Sequence, residues 1–261
     1  MRILVAGKGG VGKTTVSALL AYELAERGYS VLALDTDSVP NLAQSLGIPY
    51  EEAEKIIPLS KNEELAEKRT GARPGEGWGT LFSLTPKVND IVDSYGLRIS
   101  KNLNLVVVGS IDQGKEGCLC PAIALARAFL RHVLLKKGEV IVVDCEAGAE
   151  VFGRGLAEKF DVMLCISEPT YKSLRIARKL LKMGRELSIS RSFLVINKVQ
   201  DEVIESLYER VFKNDNIPLL ALPFDAELRR CEEAEGGVNS LPRGTPLRKG
   251  IKKIVSEIME G

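Results

Sequence analysis

Short apolar runs recur along this chain, and between them lie segments whose apolar residues follow a helical period. Seven runs are predicted strands: Arg2–Ala6, Ser30–Asp35, Leu103–Val108, Val140–Asp144, Val162–Ser167, Ser192–Asn197 and Ile217–Leu222. Their centres (ILVA, VLAL, LVVV, VIVV) show no alternation of polar and apolar positions, so both faces must be buried, as in a parallel sheet covered on both sides. Helices are predicted over Lys13–Arg27, Pro121–Lys137, Tyr171–Leu187, Asp201–Phe212 and Arg243–Met259. This alternation implies a single α/β domain over 1–261, with a mostly parallel sheet of about seven strands and helices on both faces. No repeat, linker or low-complexity tract marks a second domain.

The rhythm breaks between Glu51 and Ser100, where no strong strand is visible. That stretch holds charges, the patch GARPGEGWG and the only tryptophan, Trp78. Two readings stand: a solvated insertion with a short helix or two, or an element that responds to a partner or nucleotide. The segment Arg248–Met259 sets lysines against Ile251, Ile254, Val255 and Ile258. With Glu257 and Glu260 and no bulky aromatic, it is expected to pack on the sheet and not to lie on a membrane.

Charge adds little: 36 Lys and Arg balance 35 Asp and Glu, so a nucleic-acid surface is not expected. The opening apolar run gives way to glycines too early for a signal peptide, and no stretch approaches the ~20 apolar residues that span a bilayer. A cytoplasmic protein without membrane association is expected. Five cysteines, an odd number, do not read as a disulfide framework. With His132 the only histidine, a transition-metal site would lean on thiolates or carboxylates.

The strongest chemical signal is Gly7-Lys8-Gly9-Gly10-Val11-Gly12-Lys13-Thr14, a G-x-x-x-x-G-K-[ST] loop between a buried strand and a helix. Glycines let backbone N–H groups wrap a phosphate chain, and the helix N-terminus adds positive potential. Residues Gly7 to Thr14, with Thr15, are therefore the expected nucleotide contacts. Lys13 is placed on the outer phosphates, and the Thr14 hydroxyl on magnesium. Carboxylates at the C-terminal edge of a parallel sheet face the ligand crevice, which draws attention to Asp35-Thr36-Asp37.

Lys8, directly after the first glycine, makes GKGGVGKTT resemble the deviant Walker A ATPases. These include MinD, ParA, the nitrogenase iron protein and several metallocentre assembly ATPases. The resemblance implies ATP as ligand and a dimer in which Lys8 reaches the partner's nucleotide, stabilising charge on the transferring phosphoryl group. It implies that Asp37 orients the attacking water, so Lys8 and Asp37 are the expected catalytic residues. Asp35 would be a structural or magnesium-shell neighbour. Asp144-Cys145-Glu146-Ala147-Gly148 resembles Walker B and switch II, with Asp144 holding magnesium through water and Gly148 free to swing toward a γ-phosphate. By family position, Asn197 would read the base edge and Pro223-Phe224-Asp225 would help enclose the base.

Cys118-Leu119-Cys120 lies in a glycine-containing loop before Pro121. Two thiolates cannot complete the four-ligand set of zinc or square-planar nickel. A symmetric dimer would bring two pairs together, and a metal-free pair of small residues is the other reading of the spacing. The whole chain also resembles the CooC-type accessory ATPases for nickel insertion into carbon monoxide dehydrogenase. The residues concerned are GKGGVGKTT, DTD, LTPKV with DSYG, GCLCP, DCEAG and INKV. That resemblance implies a nickel or zinc site from Cys118 and Cys120 across a homodimer formed on ATP or metal binding, and carbon monoxide dehydrogenase as client. The alternatives are a positioning ATPase of the ParA or MinD type without metal, and an Fe–S redox ATPase. The latter is disfavoured because AGAEVFG after switch II holds no second cysteine and Cys145 comes too early, although two C-x-C pairs could chemically hold a cluster. Cys165 is expected in the core and Cys231 on a helix surface. His132, roughly 18 Å along its helix from the cysteine loop by helical rise, is given a structural or surface role.

Overall fold

In a computed structural model the described residues are 1–71, 87–111, 121–135, 139–146, 148, 153–200, 204–213 and 215–260. Among them the apolar runs form β1 (Arg2–Gly7), β2 (Val31–Asp35), β3 (Leu97–Ser100), β4 (Leu103–Val107), β5 (Val140–Asp144), β6 (Val162–Ser167), β7 (Arg191–Val199) and β8 (Leu219–Pro223). They make one sheet in the order β3-β4-β2-β5-β1-β6-β7-β8. Every pairing is parallel except β3 with β4. The seven expected strands are present, with ends shifted by a residue or two. The eighth, β3, falls in the stretch where no strong strand was visible. Its four residues, LRIS, include none that is buried, and an antiparallel edge partner asks for no long apolar run.

The helices are α1 (Lys13–Glu26), α2 (Leu42–Ser45), α3 (Tyr50–Ala53), α4 (Glu63–Thr70), α5 (Ile91–Tyr95), α6 (Pro121–Leu135), α7 (Arg154–Ala157), α8 (Tyr171–Glu186), α9 (Ile204–Phe212), α10 (Ala226–Glu233) and α11 (Pro246–Glu260). Strand residues alternate between two cores. Ile3 and Val5 of β1 join α1 and α11 in one core. Leu4 and Ala6 join α4, α6, α8 and α9 in the other. Burial on both faces is why the strand sequences read as unbroken apolar runs.

The described part of the 51–100 stretch is more than a solvated insertion. Leu59, Leu65, Ala66, Val88 and Ile91 are buried in the second core. Asn62 caps α4 by accepting the Leu65 N–H at 3.0 Å, and Gly71 (φ 85) ends it in the left-handed region. Arg69 donates to both oxygens of Asp90, at 3.0 and 2.6 Å, and holds that carboxyl below its ordinary range. Trp78 and the rest of the GARPGEGWG patch after Gly71 lie outside the described residues.

α11 packs on the sheet as its pattern demands, with Leu247, Ile251, Ile254, Val255 and Ile258 buried against α1 and β8. Arg27 ties the two helices, donating to Lys252 O at 2.9 Å and Ser256 Oγ at 3.3 Å. Among the described residues no helix is long and apolar enough to cross a membrane. Ile254 is 1% exposed, so Ile254→Ala should lower the unfolding free energy by about 2–5 kcal/mol through lost burial and a residual cavity. Urea denaturation of the two proteins measures it; an unchanged midpoint would mean that α11 does not close this core.

Candidate functional site

The loop after β1 follows the backbone demands of its glycines. A Cβ on Gly7 would lie 2.4 Å from the carbonyl oxygen of Ile166 in β6, so the loop can leave the sheet here only as glycine. Gly12 is left-handed (φ 91), and a Cβ there would meet Asn197 Nδ2 at 2.5 Å. As the cap of α1, Gly12 offers no side chain to the first helical N–H groups, leaving them directed at whatever anion lies before the helix. Lys13 is buried, and its Nζ donates to the carbonyl of Lys8 at 3.3 Å, across the loop. Lys8 itself is exposed.

Behind the loop, β5 delivers Asp144 to the start of α1. Its carboxylate accepts hydrogen bonds from the hydroxyls of Thr14 and Ser17, the latter at 3.0 Å. Burial pushes the Asp144 carboxyl up, and those two hydroxyls with Lys13 draw it back. A threonine hydroxyl beside a carboxylate is a hard oxygen pair suited to magnesium. The Asp144 carbonyl accepts the Thr36 hydroxyl at 2.8 Å, joining β2 to the same point.

Asp35 and Asp37 separate cleanly. Asp35 is fully buried and accepts the N–H groups of Asp37 (3.1 Å) and Leu42 (2.9 Å), so it shapes the turn into α2. Burial and the neighbouring Asp144 raise its carboxyl to about 7. Asp37 is half-buried and lines a cavity of about 530 Å³ in front of the loop. Its Oδ1 accepts from Val39 N–H at 2.9 Å, and Ser38 Oγ donates to Glu146 Oε2 at 2.6 Å, bridging the segments after β2 and β5. Gly9, Gly10, Gly12, Lys13, Thr14 and Thr15 line the cavity at the loop, whereas Val11 is buried beneath it.

Away from the loop the cavity is walled by Asn197, Lys198, Pro223, Phe224, Leu228 and Arg229. Asn197 is buried, and its Nδ2 donates to the Val11 carbonyl at 2.9 Å. One amide hydrogen of the residue expected to read a base edge is thus spent on the loop. Lys198 reaches the Gly10 carbonyl at 2.7 Å and Glu168 Oε1 at 2.8 Å.

Gly7 through Thr15, Asp37, Asp144, Asn197 and Pro223 therefore converge on one region, and Gly148 is buried beyond β5. Cys118 and Cys120 lie outside the described residues. Among the described residues no three His, Cys, Asp or Glu side chains gather as a metal site. Cys145 and Cys165 are buried, and burial pushes the Cys165 thiol up to about 12, which suits a core residue. Cys231 is half-buried on α10 and packs against the first core. His132 is half-buried in α6. Sequence reasoning missed Ser17, Ser38 with its bond to the switch II residue Glu146, and the loop-bracing role of Lys198. Ser17 was accessible to it, since it lies three residues after Thr14 on the same helical face.

The model of the CobQ/CobB/MinD/ParA nucleotide-binding domain matches residues 3–237. An uncharacterized ATP-binding protein of Methanocaldococcus jannaschii is 38% identical over 261 residues, covering 100% of this chain and 98% of its own. The carbon monoxide dehydrogenase accessory protein CooC of Rhodospirillum rubrum is 37% identical over 236 residues, 90% of this chain and 88% of its own. Among solved structures, the MinD protein of Pyrococcus horikoshii complexed with Mg-ADP superposes with a TM-score of 0.68 at 20% identity, covering 98% of this chain and 95% of its own. At that identity the likeness concerns the fold.

The raised Asp35 carboxyl gives stability a definite pH dependence. The unfolded chain releases this proton near 3.8, the folded one only at about 7. Between those values the folded state holds a proton that the unfolded state has lost, so Asp35 lowers stability as pH rises through the window and adds no slope above it. Thermal midpoints of the nucleotide-free, metal-free protein and of Asp35→Asn, taken from about pH 4 to about pH 8, should diverge in that sense. Parallel profiles would contradict the assignment.

Proposed function

The chain belongs to the CobQ/CobB/MinD/ParA nucleotide-binding domain family, and on that premise we propose that it is an ATP-hydrolysing, dimerising switch that assists nickel insertion into carbon monoxide dehydrogenase. The observation that carries the client assignment is the likeness to the CooC accessory protein over most of both chains. The C-x-C pair Cys118 and Cys120 supports the metal-handling part, because two protomers would supply the four thiolates that a closed zinc or square-planar nickel site needs.

In this reading the triphosphate lies along the loop amides and the N-terminus of α1. Lys13 exchanges the Lys8 carbonyl for the outer phosphate oxygens. Thr14 and Asp144 would hold magnesium, which supplies charge neutralisation on the phosphates. Asp37, at the cavity edge, orients the attacking water. Lys8, exposed on the loop, serves the nucleotide of the second protomer as a cation in trans. Asn197, Pro223 and Phe224 enclose the base. The bridge from Ser38 to Glu146 joins the segments after β2 and β5, and in this reading ATP occupancy moves both segments, changes the dimer geometry and is passed to the thiolates.

Lys13→Ala should abolish ATP binding. Lys8→Ala should keep most of the affinity but lose turnover by about 10³-fold, the scale of a trans cation in phosphoryl transfer. Full turnover by a monomeric Lys8→Ala protein would remove the trans role. For the metal, anaerobic equilibrium dialysis with nickel or zinc should give one ion per two chains. Cys118→Ser and Cys120→Ser should each lose most of that affinity, while Cys145, Cys165 and Cys231 should tolerate the change. Binding should weaken as pH falls, since the ligands are thiolates. One metal per chain, indifferent to Cys118 and Cys120, would return the protein to the metal-free ATPases of its family.

A further inference from the structure

Successive side chains of a strand point to opposite faces, yet Asn197 and Lys198 both reach the phosphate loop. Two backbone features allow it. Lys198 is left-handed (φ 61), and the register of β7 with β8 shifts between Ile196 and Val199. Ser188 and Glu235, the other non-glycine residues with positive φ, follow the ends of α8 and α10, where such turns are ordinary. Among the described residues, Lys198 alone holds this conformation inside a strand. A lysine kept there needs surroundings that over-determine it.

The contacts supply that determination. Lys198 Nζ donates to Gly10 O (2.7 Å) and Glu168 Oε1 (2.8 Å), while Asn197 Nδ2 donates to the next carbonyl, Val11 O (2.9 Å). Glu168 is itself anchored at the β6–α8 turn. Its N–H donates to Ser173 Oγ at 3.1 Å, and its carbonyl accepts from Ser167 Oγ at 3.1 Å and Thr170 N–H at 2.7 Å. The charge of Lys198 also reaches Glu232 on the cavity wall, drawing down a carboxyl that burial raises. In a trans peptide the C=O and the following N–H point in opposite directions. Holding the Gly10 and Val11 carbonyls on one side therefore fixes the Val11 and Gly12 N–H groups on the other.

We propose that Lys198 is a positioning residue for the nucleotide phosphates, a clamp anchored on Glu168 that sets the direction of the loop amides before ATP arrives. The inference rests on the nucleotide reading of this cavity and assigns Lys198 no contact with the reacting atoms. The benefit is pre-organisation: a loop already set loses less freedom on binding. Asn197 shares the task through Val11, so the expected loss on removing Lys198 is graded.

Lys198→Gly separates clamp from scaffold, because glycine accepts the left-handed backbone that lysine resists. The variant should melt no lower than wild type without nucleotide. Its Kd for a fluorescent ATP analogue and its KM for ATP should rise about tenfold, the scale of a lost charge-assisted hydrogen bond, with kcat within about twofold. Lys198→Arg, which keeps a cation able to span Gly10 and Glu168, should recover most of the affinity. Wild-type affinity in Lys198→Gly, or a loss that merely follows a lower melting point, would overturn the clamp. Should Lys198→Gly not fold, Glu168→Ala, which removes the anchor without touching β7, is read in the same way: raised Kd supports the clamp and unchanged Kd overturns it. A wild-type protein that binds no ATP would instead overturn the nucleotide reading itself.

Discussion

A carboxylate carried to the end of a buried central strand must be given hydrogen-bond donors, and at Asp144 that requirement organises the site. Thr14 and Ser17 of α1 donate to its oxygens, while Thr36 after β2 donates to its carbonyl. Three chain segments far apart in sequence are thereby drawn to one point. The loop between β1 and α1 can then close only as glycine, because Ile166 O and Asn197 crowd it from two directions. Burial of Asp144 next to Asp35 also crowds two carboxyls together, an arrangement that a hard cation at Thr14 and Asp144 would relieve.

Most of the sheet was legible because two-sided burial writes itself as runs such as VIVV and VLAL. The edge strand β3 was not, since four residues of which none is buried, in an antiparallel pairing, carry no such signature. The packing of Leu59, Leu65 and Ile91 was hidden for a related reason. The elements that bear them are short and are organised by local devices, the Asn62 cap and the Arg69–Asp90 pair, which carry no long periodicity.

The loop motif announced its own residues, and the aspartates at strand ends followed from the parallel sheet. Sequence position could not reveal that Asn197 and Lys198 brace the loop from another strand. That depends on a register shift and on a left-handed lysine, where glycine or asparagine would have been the visible signal. For Cys118 and Cys120 the spacing left a metal-free pair open, and the metal reading is what the resemblance to the CooC-type ATPases implies.

The pairing of α1 with α11 has a consequence for biosynthesis. The bond from Arg27 to Ser256 spans 229 positions, and Leu247, at the start of α11, also lines the cavity before the phosphate loop. On the ribosome, β1, the loop and α1 emerge early with one apolar flank bare. Closure of that flank and completion of the pocket wait until α11 has cleared the exit tunnel. Until then the phosphate-loop motif stands without the side of the cavity that Leu247 supplies, because contacts this distant in sequence form only once both partners are synthesised.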